Sequence, residues 1–328
     1  MPVEMTSKQN VDPPQLGSRP FDRRHARPFP QESEMPTRHA GRPPRRQPKE
    51  TGTAVNHHVS KHDRNDLDAI VDRDALDELA VGTATWVQHT SGWLTSAERR
   101  VLLAPLARTH ASNAVGRLRL AVGLHPGRHA YLPSARLAPP TTVLTRAAER
   151  CARRVLPVPL LNHGYRTYIF GRALGELEGI DVDTELLFAG ALLHDTGLVN
   201  PTGDADFTLA SSRLARAVAE EVGLSTAATD TMLTAITMHH SPGVTVDAGP
   251  VAYLLSAGAG LDVAGVRSWE LPAATIADAV REHPRAGFKR VFTEAFDQEA
   301  ARVPEGRAQL LMRYGAFATA IWFAPFAE

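Results

Sequence analysis

The chain has 328 residues, and 36 basic side chains balance 36 acidic ones. That balance excludes a uniformly basic nucleic-acid-binding protein, and a single cysteine, Cys151, excludes an intramolecular disulfide framework. No run approaches the ~18 consecutive apolar residues of a membrane span, while an apolar fraction of 43% is enough for a core. One thiol fits a reducing compartment, and the opening residues lack the apolar centre of a secretory signal, so a cytoplasmic protein is expected.

Residues 1–50 hold ten of the 24 prolines and only ten apolar side chains. A segment so poor in apolar surface cannot offset the entropy of ordering, and residues 1–65 are predicted to be disordered. The basic side chains Arg23, Arg24, Arg38, Arg42, Arg45, Arg46 and Lys49 support at most weak contacts with nucleic acid or an acidic partner. His57, His58 and His62 have no other ligand beside them and are read as solvated.

Residues 66–137 read as an accessory helical segment. Thr95 and Glu98 have the spacing of a capping box, in which the threonine accepts from the helix start and the glutamate reaches back. Val101, Leu102, Leu103 and Leu106 then offer an apolar face, and a second helix is predicted over 111–124, ended by Pro126-Gly127. Trp86 and Trp93 are expected to pack. The segment's role is open between an accessory subdomain and a lid over the C-terminal domain.

Pro139-Pro140 marks a boundary, because proline cannot continue a helix and restricts the residue before it. Apolar residues at three- and four-residue steps then predict helices over 141–155, 163–177, 183–194, 209–222, 228–239, 250–261, 274–282 and 306–323. Asp183 or Thr184 and Ser225 are expected to cap helices, Cys151 to be a core thiol, and Asp204 and Asp206 to face solvent. No alternating strand pattern occurs, so the fold class is all-α, with 138–328 as the main domain.

Within these helices stand His163, the pair His194-Asp195 before Thr196-Gly197, and Asp262. Imidazole nitrogen and carboxylate oxygen together suit one divalent ion, zinc first, with iron, manganese or nickel as alternatives. Ligands on the ends of different helices can meet at one point in a bundle.

The set His163, His194-Asp195, Asp262 resembles the HD-domain superfamily of metal-dependent hydrolases. Ala191-Leu192-Leu193-His194-Asp195-Thr196-Gly197 is similar to its central motif. Leu161 to Tyr168, Phe207-Thr208-Leu209-Ala210, Ala235 to His239, Gly258 to Gly265 and Pro284 to Lys289 resemble, in order, the cyanamide hydratase-like branch, over about residues 138–326. The resemblance implies an HD-type helical bundle holding one metal on His163, His194, Asp195 and Asp262. It also implies a water activated by the ion, with Asp195 as proton acceptor and His239 as the group that orients or protonates the substrate.

Arg166, Phe207, Thr208 and Lys289 are candidates for contact with a small-molecule substrate, though each also has an ordinary packing or ion-pair reading. Three functions are consistent with these residues. The first is a hydrolase or hydro-lyase adding water to a nitrile-like or amide-like carbon. The second is a phosphohydrolase, which needs a cationic phosphate clamp that the sequence supplies sparsely. The third is a helical module that binds without catalysis. The oligomeric state is not readable.

Overall fold

The computed structural model describes residues 80–132 and 134–328. The disorder expected over 1–65, its basic and histidine residues, and the first part of the accessory segment lie outside the described residues. Among those described there is no strand, only one antiparallel bridge between Trp93 and Gly306. The all-α expectation holds.

The helices are α1 (Ala84–Thr90), α2 (Ser96–Ala121), α3 (Val143–Val155), α4 (Val158–Glu178), α5 (Thr184–Leu193), α6 (Thr196–Val199) and α7 (Phe207–Glu221). They continue as α8 (Thr226–Met238), α9 (Pro250–Ala264), α10 (Ala273–Glu282), α11 (Phe288–Arg302), α12 (Arg307–Tyr314) and α13 (Phe317–Trp322). The caps are those the sequence signals. Asp183 accepts from Glu185 N and Leu186 N, each at 3.0 Å, and Ser225 accepts from Ala228 N at 3.3 Å. Cys151 is buried and free.

Four elements differ from expectation. α4 starts at Val158, behind Pro157, so His163 stands in its second turn. The helix expected over 306–323 is broken into α12 and α13 at Gly315-Ala316, where Ala316 takes φ +45°. α11 has no counterpart among the expected helices, because Pro284 and Gly287 mask its start. In the accessory segment one helix, α2, replaces two and runs through Pro105. Proline removes one backbone donor. The residue left without it, Val101, is 67% exposed, so water can satisfy its carbonyl.

α4 and α9 run antiparallel and in close contact. A Cβ on Gly171 would meet the Leu254 carbonyl at 2.5 Å, and one on Gly258 would meet the Thr167 carbonyl at 2.2 Å. Glycine at these two positions lets the backbones touch. Four residues forward on α4 correspond to four residues back on α9, and the same stepping carried one turn further sets Asp262 opposite His163. α5 packs across α4 and leads into His194.

The accessory segment is seated on this bundle. Trp86, Val87, Leu94, Leu102 and Leu106 join the common core. The Thr95–Glu98 capping box forms, and Glu98 Oε1 also accepts from the Trp86 indole at 2.6 Å. Arg117 on α2 donates to Ala264 O at 3.1 Å and Phe323 O at 3.2 Å, tying α2 to the end of α9.

Gly116 lies against Trp269, where a Cβ would come within 2.1 Å of the ring. Gly116→Val is expected to cost about 1–3 kcal/mol through overpacking and to lower the thermal midpoint by several degrees. An unchanged melting curve would mean that α2 does not sit on Trp269.

Candidate metal centre

Three histidines meet around one carboxylate. His163 comes from α4, His194 ends α5, Asp195 lies in the opened backbone between α5 and α6, and His239 ends α8. The Nε2 atoms of His163 and His194 are 3.1 Å apart. They lie 3.4 and 3.3 Å from Asp195 Oδ2, and His239 Nε2 lies 3.5 Å from Asp195 Oδ1. All four side chains are buried.

Each ring is oriented from behind. His194 Nδ1 is 2.7 Å from Ala191 O, His239 Nδ1 is 2.7 Å from Ile236 O, and His163 Nδ1 is 2.7 Å from Asp262 Oδ2. Carbonyl and carboxylate oxygens only accept, so each Nδ1 carries the proton and a neutral ring turns an Nε2 lone pair inward; at His194 burial opposes a second proton, but the Asp195 carboxylate outweighs it and raises the pKa of the ring. Lone pairs therefore face lone pairs and an anionic carboxylate.

Neither oxygen of Asp195 has a hydrogen-bond partner among the described residues. A buried carboxylate so placed is costly unless a positive charge compensates it. Burial pushes His163 and His239 toward the neutral imidazole. Burial opposes ionisation of Asp195, but His194 and the neighbouring rings outweigh it and hold the carboxyl well below the usual carboxylate range. Donor atoms of His163, His194 and Asp195 all lie within 4.8 Å of one another. Two imidazoles and a carboxylate, deprotonated where they converge, fit a divalent ion.

The model of the HD domain family matches residues 160–311. Over that stretch, just under half of its length, the chain is similar to an HD domain. No curated protein matches the chain. HD domains are typically metal-dependent hydrolases, and the His163–His194–Asp195 cluster is where this one could hold an ion. No helix among the described residues is long and apolar enough to cross a membrane.

The cluster opens onto a cavity of about 260 Å³. One wall comes from α2 of the accessory segment, through Leu106, Thr109, His110 and Asn113; others come from α9, α11 and α13. So α2 contributes directly to the cavity. These α2 residues carry no motif, and nothing in the sequence ties them to His163.

The four expected substrate contacts lie elsewhere. Arg166 is buried and engaged by Asp262 and by the carbonyls of His283 and Pro284, at 2.8 and 3.1 Å. Phe207 packs behind the histidines, with ring centroids 5.7 Å from His239 and 4.9 Å from His240. Thr208 donates to Asp206 at 2.7 Å and accepts from Arg307 at 3.1 Å. Lys289 donates to Trp322 O at 3.2 Å, away from the cavity.

Asp262 also departs from expectation: it meets the far edge of the His163 ring rather than joining the Asp195 cluster. Asp206, expected to face solvent, is buried. It caps α7 and pairs with Arg307 at 2.9 Å. Arg307 also donates to Thr237 O at 2.6 Å and Ser241 Oγ at 2.8 Å, fixing the end of α8 that carries His239. An aspartate directly ahead of an apolar helix start is a cap signal, and that signal could have found Asp206.

The side chain of His240 is buried beside Asp206 and lines the cavity. Burial and the Arg307 charge push its pKa down to about 3. The unfolded chain therefore takes up a proton near pH 6.5 that the folded chain refuses. Stability from this group is complete above that pH and is lost as pH falls toward 3. The loss is expected to be on the order of 2 kcal/mol between pH 7 and 5. Urea unfolding at the two pH values should show it, and His240→Gln should reduce the difference; an equal difference in both proteins would refute the assignment.

Purified full-length protein is expected to hold close to one equivalent of divalent metal by elemental mass spectrometry. His194→Ala should abolish it, whereas retention by that variant would place the ion elsewhere.

Proposed function

We propose that the HD domain adds water to a small, neutral, nitrile-like or amide-like substrate, as a metal-dependent hydrolase or hydro-lyase. The observation that carries this reading is the charge of the cavity. Among its described lining residues Arg267 is the one lysine or arginine. Its guanidinium is already committed to Glu178, Glu270 and the Tyr253 hydroxyl. A phosphomonoester would need a free cationic clamp, and the cavity offers none among these residues. The motifs that resemble the cyanamide hydratase-like branch support the same chemistry.

A divalent ion on His163, His194 and Asp195 would supply Lewis acidity, polarising the substrate and making water a readier nucleophile. Asp195 accepts the proton that water loses as its oxygen bonds to the electrophilic carbon. The electron pair displaced from the carbon–nitrogen bond goes to nitrogen. His239 Nε2, 3.5 Å from Asp195 Oδ1, can take that proton on and deliver it to the nitrogen. Because burial and the neighbouring His194 keep His239 weakly basic, it passes the proton on rather than retaining it. The main-chain bond from His239 Nδ1 to Ile236 O holds the ring in the tautomer this needs. The apolar remainder of the cavity, including Phe292 and Phe296, limits competing water.

The test is a panel of nitriles, amides and phosphomonoesters offered to metal-loaded full-length protein. Amide or ammonia should form from the first two classes. Asp195→Asn should abolish turnover, and His239→Gln should lower kcat by about 10²–10⁴-fold. Release of phosphate without hydration of any carbon–nitrogen bond would overturn the reading in favour of a phosphohydrolase. Metal binding without turnover of any class would favour a binding module.

A further inference from the structure

α2 lies outside the residues matched by the HD domain family, yet it forms a wall of the cavity onto which the cluster opens. The helix is fastened at two points. Pro105 packs on Gly243 in the loop after α8, where a Cβ on the glycine would meet the Pro105 side chain at 2.6 Å. About 18 Å further along the helix, Gly116 lies on Trp269 and Arg117 donates to Ala264 O, at 3.1 Å. α2 therefore runs from the end of α8, which leads into His239, to the end of α9.

Between these fastenings Leu106, Thr109, His110 and Asn113, mixed in type, stand at three- and four-residue steps and so share the helical face that lines the cavity. Leu106 is buried and apolar. Thr109 gives its hydroxyl proton back to Pro105 O at 3.1 Å. Asn113 differs from both. Its Oδ1 is buried and has no hydrogen-bond partner among the described residues. Apart from the Asp195 oxygens and the ring nitrogens of His240, no other buried polar side-chain atom of the described lining is in that condition. A buried acceptor is costly to leave unpaired, and the cavity is the side from which a donor can reach this one.

We infer that Asn113 is a specificity-determining residue whose Oδ1 accepts an N–H of the substrate. This rests on the hydration reading above and narrows its substrate to one that carries an N–H, an amide rather than a plain nitrile. The rest of the lining describes the remainder of that molecule. Phe292, Phe296 and Phe317 bring three rings to the cavity. Its volume of about 260 Å³ is many times the ~10–15 Å³ that one water needs, so the substrate extends beyond its reactive group. A small amide with a planar apolar body meets all three demands: the rings hold the body, Asn113 reads the N–H, and the cluster faces the carbon. Hydrolysis turns such an amide and water into a carboxylate and ammonium. The carboxylate donates nothing, so the contact with Asn113 is lost in the product.

Benzamide and acetophenone test this, because they share a shape and differ by an amide NH2 in place of a methyl group. Their binding to full-length wild type and Asn113→Leu is measured by calorimetry on chelator-treated protein, where no turnover competes. Ammonia release from benzamide is measured on the same proteins loaded with zinc. Wild type should bind benzamide about tenfold more tightly than acetophenone, the effect of one hydrogen bond to a buried acceptor. Asn113→Leu should bind the two alike, and in turnover its KM for benzamide should rise about tenfold while kcat changes less. Equal binding of the two probes by wild type, a preference that survives in Asn113→Leu, or binding of neither probe overturns the inference. Ammonia release that Asn113→Leu leaves unchanged does so too, while the hydration reading stands. A preference that depends on Asn113, with no ammonia released, supports the contact and counts against the hydration reading. Should Asn113→Leu fail to fold, a crystal structure of wild type with benzamide decides. An amide nitrogen within about 3.2 Å of Asn113 Oδ1 supports the contact, and an amide bound elsewhere refutes it.

Discussion

The arrangement on which the rest of this structure depends is a concentration of nitrogen and oxygen donors around one buried carboxylate, with no lysine or arginine among them. Three imidazoles, each locked from behind, turn Nε2 toward a carboxylate that has no other partner among the described residues. A folded chain does not gain stability from such a contact; it must be imposed by the surrounding helices. Burial keeps water from relieving it and keeps two of the rings, His163 and His239, from taking up a proton easily.

What imposes it is a pair of buried guanidinium clamps. One, from Arg166 and Arg285, holds Asp262 and through it His163. The other, from Arg307, joins Asp206 at the start of α7 to Thr237 and Ser241 around the end of α8. Each clamp neutralises an anion next to the cluster while leaving Asp195 bare. Removing one member of a buried pair of this kind typically costs about 3–5 kcal/mol, so the clamps tie the geometry of the site to the stability of the domain. Trp86 from α1 covers the Arg307 guanidinium at 5.4 Å, which couples the accessory segment to the same scaffold.

Much of this was legible in the sequence. Helical periodicity pointed to the all-α class, and cap residues marked Asp183, Ser225 and the Thr95–Glu98 box. His163 and the His194-Asp195 pair announced themselves by residue type and flanking motif. What was not legible depends on direction rather than identity. A sequence shows that Asp262 is an aspartate near a helix end, not which of its neighbours' protons it accepts. Arg166 and Lys289 were visible as cations, but the cation that matters beside Arg166 is Arg285, four positions before Lys289. The cavity wall from α2 could not be read, because Thr109, His110 and Asn113 follow no pattern and reach the site only through tertiary packing on Trp269.

The four-residue stepping between α4 and α9 has a consequence for how such a chain can change length. His163, Thr167 and Gly171 face Asp262, Gly258 and Leu254 in a single register. One residue inserted between His163 and Gly171 would rotate one end of that register by ~100° and shift it by ~1.5 Å. Either the backbones could no longer touch at Gly171 and Gly258, or His163 would lose its carboxylate. Helix length in this stretch is therefore fixed by chemistry as well as packing, and tolerance for insertions is confined to segments such as the loop between α6 and α7, where residues 201–204 are exposed.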